Sequence, residues 1–244
     1  MIVFPKNWNK VGRHIGIREI DDRLRVIING ISCNCLSLSG GVDSSLLFYY
    51  MCLVREHISL NHSPVPIICF TAARPVKGED ESLEDHPDVT YSKMVVEYFR
   101  RLFEHIDITH YIFHIAEDEK DNGIRLFYEF IAKRTNEIIA GDGIDEFMGG
   151  YYEHQQGRLQ KEKTYYSILH RLQKDHLTPL NKVSGDVRVY LPYLDEELIS
   201  LYGQIPLMDK VDLGDRKKVI LELVKGKIPD EVITRRKYGF CDVS

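Results

Sequence analysis

The chain has 244 residues, 43% of them hydrophobic and 28% charged, with a formal net charge of −5. That length and balance fit one large soluble globule, or a domain with a helical appendage. They disfavour general nucleic-acid binding, because the basic clusters Arg100-Arg101, Lys217-Lys218 and Arg235-Arg236-Lys237 are short and local.

No signal peptide and no apolar run of about 18 residues is visible, so a cytoplasmic protein is expected. The cysteines Cys33, Cys35, Cys52, Cys69 and Cys241 are odd in number and lack a C-x-x-C pair. Core thiols are expected rather than zinc or a redox pair.

In chain order, residues 1–16 show no strong period and are expected to drape over the core. Ile17 to Gly30 predicts a helix, with Ile20, Leu24, Ile27 and Ile28 recurring at three and four and Gly30 closing it. Ile31 to Leu38 reads as a short buried strand, and Leu46 to Val54 as a helix whose inward stripe is Leu46, Leu47, Met51 and Val54.

Between them stands Ser39-Gly40-Gly41-Val42-Asp43-Ser44-Ser45. The glycines allow tight turns and close approach of a ligand. The first amides of a helix lack intrahelical partners and carry partial positive charge, which makes a phosphate site. Ser39, Ser44 and Ser45 can add hydroxyl donors. Asp43 would repel phosphate unless Mg²⁺ lay between them, because hard cations take carboxylate and phosphate oxygens together. The Walker spacing G-x-x-x-x-G-K-[ST] is absent.

Val65 to Phe70 predicts a second strand. The polar stretch Arg74 to Thr90, rich in Asp and Glu, reads as a solvated run or as a mobile lid over a nucleotide. Tyr91 to Glu104 is amphipathic. Thr109 to Ile115 predicts a strand, Gly123 to Lys133 a helix and Glu137 to Ala140 a fourth strand. Beyond Tyr151 the pattern is mostly helical, over Leu159 to Leu177, Glu196 to Gly203 and Arg216 to Val224.

Alternating strands and helices predict an α/β fold, a parallel sheet with helices on both faces and a mostly helical C-terminal portion. The expected organisation is a single domain over residues 1–244, with a nucleotide-binding part at 17–151 and a helical part at 152–244. Ligands of such sheets bind at the carboxyl ends of the strands.

A second glycine-rich loop follows the fourth strand: Ala140-Gly141-Asp142-Gly143-Ile144-Asp145-Glu146-Phe147-Met148-Gly149-Gly150-Tyr151. Three acids among these glycines suit a metal–phosphate site. Asp145 with Asp43 would give one Mg²⁺ two carboxylates.

The first loop resembles S-G-G-x-D-S-S, the pyrophosphate-binding loop (PP-loop) of the ATP pyrophosphatases, and the second resembles S-G-E-G-x-D-E-x-F-G-G-Y of the asparagine synthetases. Relatives of those enzymes include the β-lactam, carbapenam and lasso-peptide cyclising synthetases. Arg235-Arg236-Lys237-Tyr238-Gly239-Phe240 is similar to the family's R-x-K-x-x-F, and Leu191-Pro192-Tyr193-Leu194-Asp195 to V-P-F-L-D.

The resemblance implies an adenine nucleotide alpha-hydrolase-like fold and an ATP-dependent carbon–nitrogen ligase. Such an enzyme adenylates a carboxylate, releases AMP and pyrophosphate, and transfers the acyl group to ammonia or an amine. It implies that Ser39, Gly40, Gly41, Asp43, Ser44 and Ser45, with Gly141 and Gly143, hold the ATP phosphates. Phe70, Thr71 and Ala72 would contact adenine, largely through backbone. Asp43 and Asp145 would ligate Mg²⁺. Lys237 would reach the α-phosphate and the reacting carbonyl, and Asp142 would lie close to the acceptor.

The chain departs from the family in three ways. Met1 is followed by Ile2, without the amino-terminal glutaminase domain of many relatives. Ammonia, an amine, or a separate amine-supplying protein is therefore expected as nitrogen source. Asp142 stands where the family has glutamate. Arg188, with Tyr190, falls in the segment where relatives carry the glutamate of an acid–base pair. Two other classes stay open: nucleotide or tRNA amidation or thiolation, and a non-catalytic nucleotide-binding protein.

Overall fold

The computed structural model describes residues 16–59, 65–73, 86–116, 122–155 and 157–235. Contacts divide these into two units, one of residues 16–31, 141–182 and 191–225, the other of residues 32–140, 183–190 and 226–235.

The second unit carries the sheet. Its strands are β1 (Cys35–Ser37), β2 (Ile67–Ala73), β3 (Ile108–His114), β4 (Glu137–Ile139) and β5 (Arg188–Tyr190). They lie in the order β3-β2-β1-β4-β5, and every pairing is parallel. The α/β reading is therefore right. β5 was not anticipated: a three-residue strand that begins on an exposed arginine carries almost no periodic signal.

The helices of this unit follow from the same alternation. With α1 (Ile17–Asn29) as the first helix among the described residues, α2 (Val42–Ser59) connects β1 to β2, α3 (Pro87–Leu102) connects β2 to β3, and α4 (Gly123–Ala132) precedes β4. The chain moves outward from β1 to β3, then crosses back to β4 on the other side of β1. Right-handed crossovers then put α4 on the face opposite α2 and α3. Side chains agree: the Phe70 ring lies 6.3 Å from Phe130 of α4, while Phe48 of α2 meets Phe99 of α3 edge-on at 4.8 Å. Cys33, Cys35, Cys52 and Cys69 are buried free thiols, as expected of core residues; Cys241 lies outside the described residues.

Two boundaries differ from the sequence reading for a physical reason. The helix after β1 starts at Val42, so Asp43 and Ser44 stand in its first turn rather than in the loop. α3 starts at Pro87, with His86 accepting from the Asp88 amide as a cap. Proline is tolerated in a first turn because its missing N–H would be unpaired there. Asp88 and Thr90 thus belong to a helix, and Asp88 is buried, not solvated. Residues 74–85 of the acidic stretch lie outside the described residues, and with them the lid expectation.

The first unit is helical. It holds α1, α5 (Ile144–Met148), α6 (Arg158–Arg171), a π-helical segment over Leu172–Leu177, most of α7 (Thr178–Val183), α8 (Glu196–Gln204), α9 (Leu207–Lys210) and α10 (Lys218–Val224). α1 buries Ile20, Leu24 and Ile28, with Ile27 only part-buried. Arg23 of α1 bonds Asp195, the residue that also caps α8 through the Glu197 and Leu198 amides. The last helix among the described residues, α11 (Asp230–Thr234), belongs to the sheet unit. Among the described residues, no helix is long and apolar enough to cross a membrane.

Candidate functional site

The strand order reverses between β1 and β4, and the two glycine loops are what leave these two strands. Open parallel sheets bind ligands at such a reversal.

The loop after β1 is built to a tight template. The Leu38 amide still donates to Phe70 O at 2.8 Å, which continues the β1–β2 ladder. Thr71 Oγ1 donates to Leu38 O at 2.5 Å and sits 2.8 Å from His110 Nε2, so the strand end is held by a side chain as well. Burial, with Arg100 and Lys93 nearby, depresses His110 to about 4 and keeps it neutral. Gly40 then takes φ +66°, and a Cβ there would fall 2.3 Å from the Ser92 amide nitrogen of α3. Only glycine satisfies both the left-handed backbone and that close approach.

The hydroxyls of this loop are committed to it in different degrees. Ser44 Oγ accepts from the Ser39 amide at 3.2 Å and donates to Gly41 O at 3.3 Å. Ser39 Oγ is exposed on the loop, 3.2 Å from Ser44 Oγ, and accepts from the Gly41 amide at 3.3 Å. Ser45 is fully buried and its hydroxyl has no partner among the described residues. Asp43 is half-buried in the first turn of α2. Phe70, Thr71 and Ala72 form the carboxyl half of β2; Phe70 is buried and stacks on Tyr111 at 5.5 Å.

Arg235 closes this loop from far along the chain. It donates to Ser39 O at 3.2 Å, pairs with Asp88 Oδ1 at 2.7 Å and lies 4.7 Å over the Tyr91 ring. Both charged side chains are nearly buried, at 6% and 11% exposure. Burial raises the Asp88 carboxyl, and Arg235 opposes that rise. Lys237 lies outside the described residues, as do Arg236 and Tyr238 to Phe240 of the same motif.

In the other unit, the residues after β4 form a second polar cluster. Gly143 caps the short helix α5 in a left-handed conformation. Asp145 Oδ1 lies 2.7 Å from Lys217 Nζ. Glu146 is 3% exposed and accepts a 2.6 Å bond from Tyr151 Oη. Burial raises the Glu146 carboxyl and pushes the Tyr151 phenol well up. Asp142 Oδ1 lies 2.6 Å from Nε2 of His176, which stands on the π-helical segment. That contact is the main cause of the raised His176 pKa, with Asp145 and Glu146 adding to it.

Asp142 and Asp145 stand on the glycine-rich loop that the sequence singles out; their contacts with His176 and Lys217 are what the structure adds. The sequence does not single out His176 and Lys217 as their partners, or Asp88 as the partner of Arg235, because each contact spans at least 34 positions and no spacing rule connects them. Arg235 was legible only as part of a motif. Arg188 is exposed at the start of β5, opposite Glu137, whereas Tyr190 at the strand's end donates to Glu137 Oε2 at 3.2 Å.

The asparagine synthase family profile matches residues 34–188 and 170–244. The chain belongs to the asparagine synthase family. It is 26% identical over 212 residues to a protein of Methanocaldococcus jannaschii named as a glutamine-hydrolyzing asparagine synthetase, covering 77% of this chain and 34% of that one. It is 23% identical over 230 residues to an Acanthamoeba polyphaga mimivirus protein named likewise, covering 84% of this chain and 38% of that one. The chain thus spans little more than a third of the length of either. The aligned family region takes in both glycine loops, the Arg235–Asp88 pair and the polar cluster around Asp142.

Proposed function

We propose that this chain is the synthetase part of an ATP-dependent amide-forming ligase. In this reading a carboxylate oxygen attacks the α-phosphorus of ATP, the bond to the β-phosphate bridging oxygen breaks, and pyrophosphate leaves. Ammonia or an amine then takes the acyl group from the adenylate and AMP departs. The observation that carries the reading is the loop from Ser39 to Ser45, a rigid turn that opens onto the first amides of the 18-residue helix α2. Such amides and the helix dipole favour an anion. Membership of the asparagine synthase family supplies the reaction class.

Asp43 and Asp145 are the residues that would hold Mg²⁺, and hard carboxylate oxygens beside phosphates suit that ion. When bound, the ion would offset charge on the departing pyrophosphate. Lys217 already shares Asp145, so that carboxylate would serve two cations. Lys237 is the cation proposed for the α-phosphate and the reacting carbonyl, where fixed positive charge is worth most. Phe70, Thr71 and Ala72 would line the adenine, and Asp142 the acceptor.

The deciding experiment incubates the chain with ATP, Mg²⁺ and a panel of carboxylates, with hydroxylamine as trap. AMP, pyrophosphate and a hydroxamate in equal amounts are expected for at least one carboxylate. ADP and phosphate as products would overturn the proposal.

A further inference from the structure

We propose that His176, oriented by Asp142, is the general base that takes the proton from the incoming amine; this rests on the amide-forming reading above. Asp142 leaves the carboxyl end of β4 on the second glycine loop, at 26% side-chain exposure. His176 reaches it from the π-helical segment Leu172–Leu177 at 42% side-chain exposure. Wide π-helical turns inside α-helical runs are often found at functional sites. Leu172 and Leu177 are buried and anchor the segment, so the imidazole is offered from a fixed support.

The 2.6 Å contact occupies Nε2, and no described residue bonds Nδ1. A carboxylate on one ring nitrogen fixes the tautomer and steadies the imidazolium that forms when the other nitrogen takes a proton. The pair is part-exposed, so a bound molecule can reach it, yet Asp145 and Glu146 lie close enough to favour positive charge on the ring. Nothing else described in this unit uses His176. Arg188 cannot act as a base, because a guanidinium stays protonated.

The amine nitrogen attacks the acyl carbon of the adenylate, forming the C–N bond and a tetrahedral adduct with a protonated nitrogen. His176 Nδ1 takes that proton. The adduct collapses, the bond from carbon to the phosphate oxygen breaks, and AMP leaves with the electron pair. Adenylation itself moves no proton and does not need the imidazole.

That separation gives the test. The wild-type chain and His176→Gln are compared in two measurements on the same samples, with the carboxylate that the hydroxamate screen selects. Pyrophosphate–ATP exchange reads adenylation. Amide formed from ammonium chloride, against hydroxamate formed from hydroxylamine, reads capture. Hydroxylamine is a strong nucleophile that is unprotonated at neutral pH, so it should bypass the base. His176→Gln should lower ammonia-dependent amide formation about a hundred- to ten-thousandfold. It should lower exchange and hydroxamate formation far less. Asp142→Asn should show the same split with a smaller drop. Equal losses in all three readouts would make His176 structural, and no loss would make it a surface residue; either overturns the proposal. A wild-type chain that forms no hydroxamate with any carboxylate would overturn the ligase reading itself, and the base with it.

Discussion

Lys217 Nζ lies 2.7 Å from Asp145 Oδ1, and Gly150 passes so close that a Cβ there would fall 1.8 Å from that oxygen and 2.4 Å from Lys217 Cε. Lys217 is also the one non-glycine residue with positive φ among those described, at +53°. A left-handed lysine costs about 1–2 kcal/mol. A largely buried ion pair broken on one side costs roughly 3 kcal/mol or more, because the remaining charge is left uncompensated. The pair therefore outweighs the strain.

Lys217→Gly should accordingly destabilise the fold by about 2 kcal/mol, and Lys217→Met by about 1 kcal/mol more, since glycine relieves the backbone and methionine does not. Denaturant unfolding of the two variants measures this. A Lys217→Gly variant more stable than the parent by about 1–2 kcal/mol, with Lys217→Met within roughly 0.5 kcal/mol of the parent, would show that the pair contributes nothing. Gly150→Ala should act in the same direction, by pushing the carboxylate away from the ammonium.

Arg235 and Asp88 give a prediction with a sign in pH. Burial raises the Asp88 carboxyl and Arg235 holds that rise down. A carboxyl raised in the folded state binds its proton more tightly there than in the unfolded chain. Stability then falls as pH rises from the ordinary carboxylate range through the raised value. Removing Arg235 enlarges the shift. Arg235→Ala should cost about 3 kcal/mol at neutral pH, and the deficit should shrink as the pH is lowered and Asp88 is protonated in both states. Chemical denaturation of parent and variant at several pH values checks it. A deficit that stays constant into acid would mean that Arg235 acts through Tyr91 and the Ser39 carbonyl, not through Asp88.

Which parts of this could be read from the sequence follows the same physics. β1, its loop and α2 were legible because a buried strand, two glycines and an apolar helical stripe are local patterns. The start of α2 was misplaced because Ser44 and Asp43 look like loop residues until Ser44 folds back onto Ser39 and Gly41. Asp88 looked solvated within an acidic run; it is buried because Arg235, 147 positions later, arrives to pair with it. His176 was hidden in a helical pattern, since its meaning comes from Asp142 on another element.

Lys210 is 2% exposed, and its Nζ donates to Tyr165 Oη at 2.9 Å, which in turn donates to Phe147 O at 3.0 Å. Burial depresses this lysine to about 7. The unfolded chain binds the proton more tightly, so this group makes stability rise as pH increases from about 7 toward the ordinary lysine value. Lys210→Met should remove that rise and leave the variant at least as stable as the parent at pH near 6, because no buried charge remains. Melting temperatures across that range measure it. A variant that keeps the rise would place its origin elsewhere.

The last prediction concerns Lys237, two residues beyond Arg235. Arg235, the first residue of the motif, is tied to the Ser39 carbonyl, at the loop proposed to grip pyrophosphate. A lysine that meets the α-phosphate only as charge builds in the transition state adds little to ATP binding and much to rate. Removing one such contact typically costs roughly 3–4 kcal/mol, on the order of a hundred- to a thousandfold. Lys237→Ala should therefore keep near-native ATP affinity and lose carboxylate-dependent pyrophosphate release by about that factor. Arg235→Lys, which keeps the charge but loses the two-pronged grip on Asp88 and Ser39, should slow the same step less. Single-turnover kinetics and ATP titration separate the two quantities. An unchanged rate in Lys237→Ala would remove it from the chemistry, and a lost ATP affinity at constant rate would make it a binding residue instead.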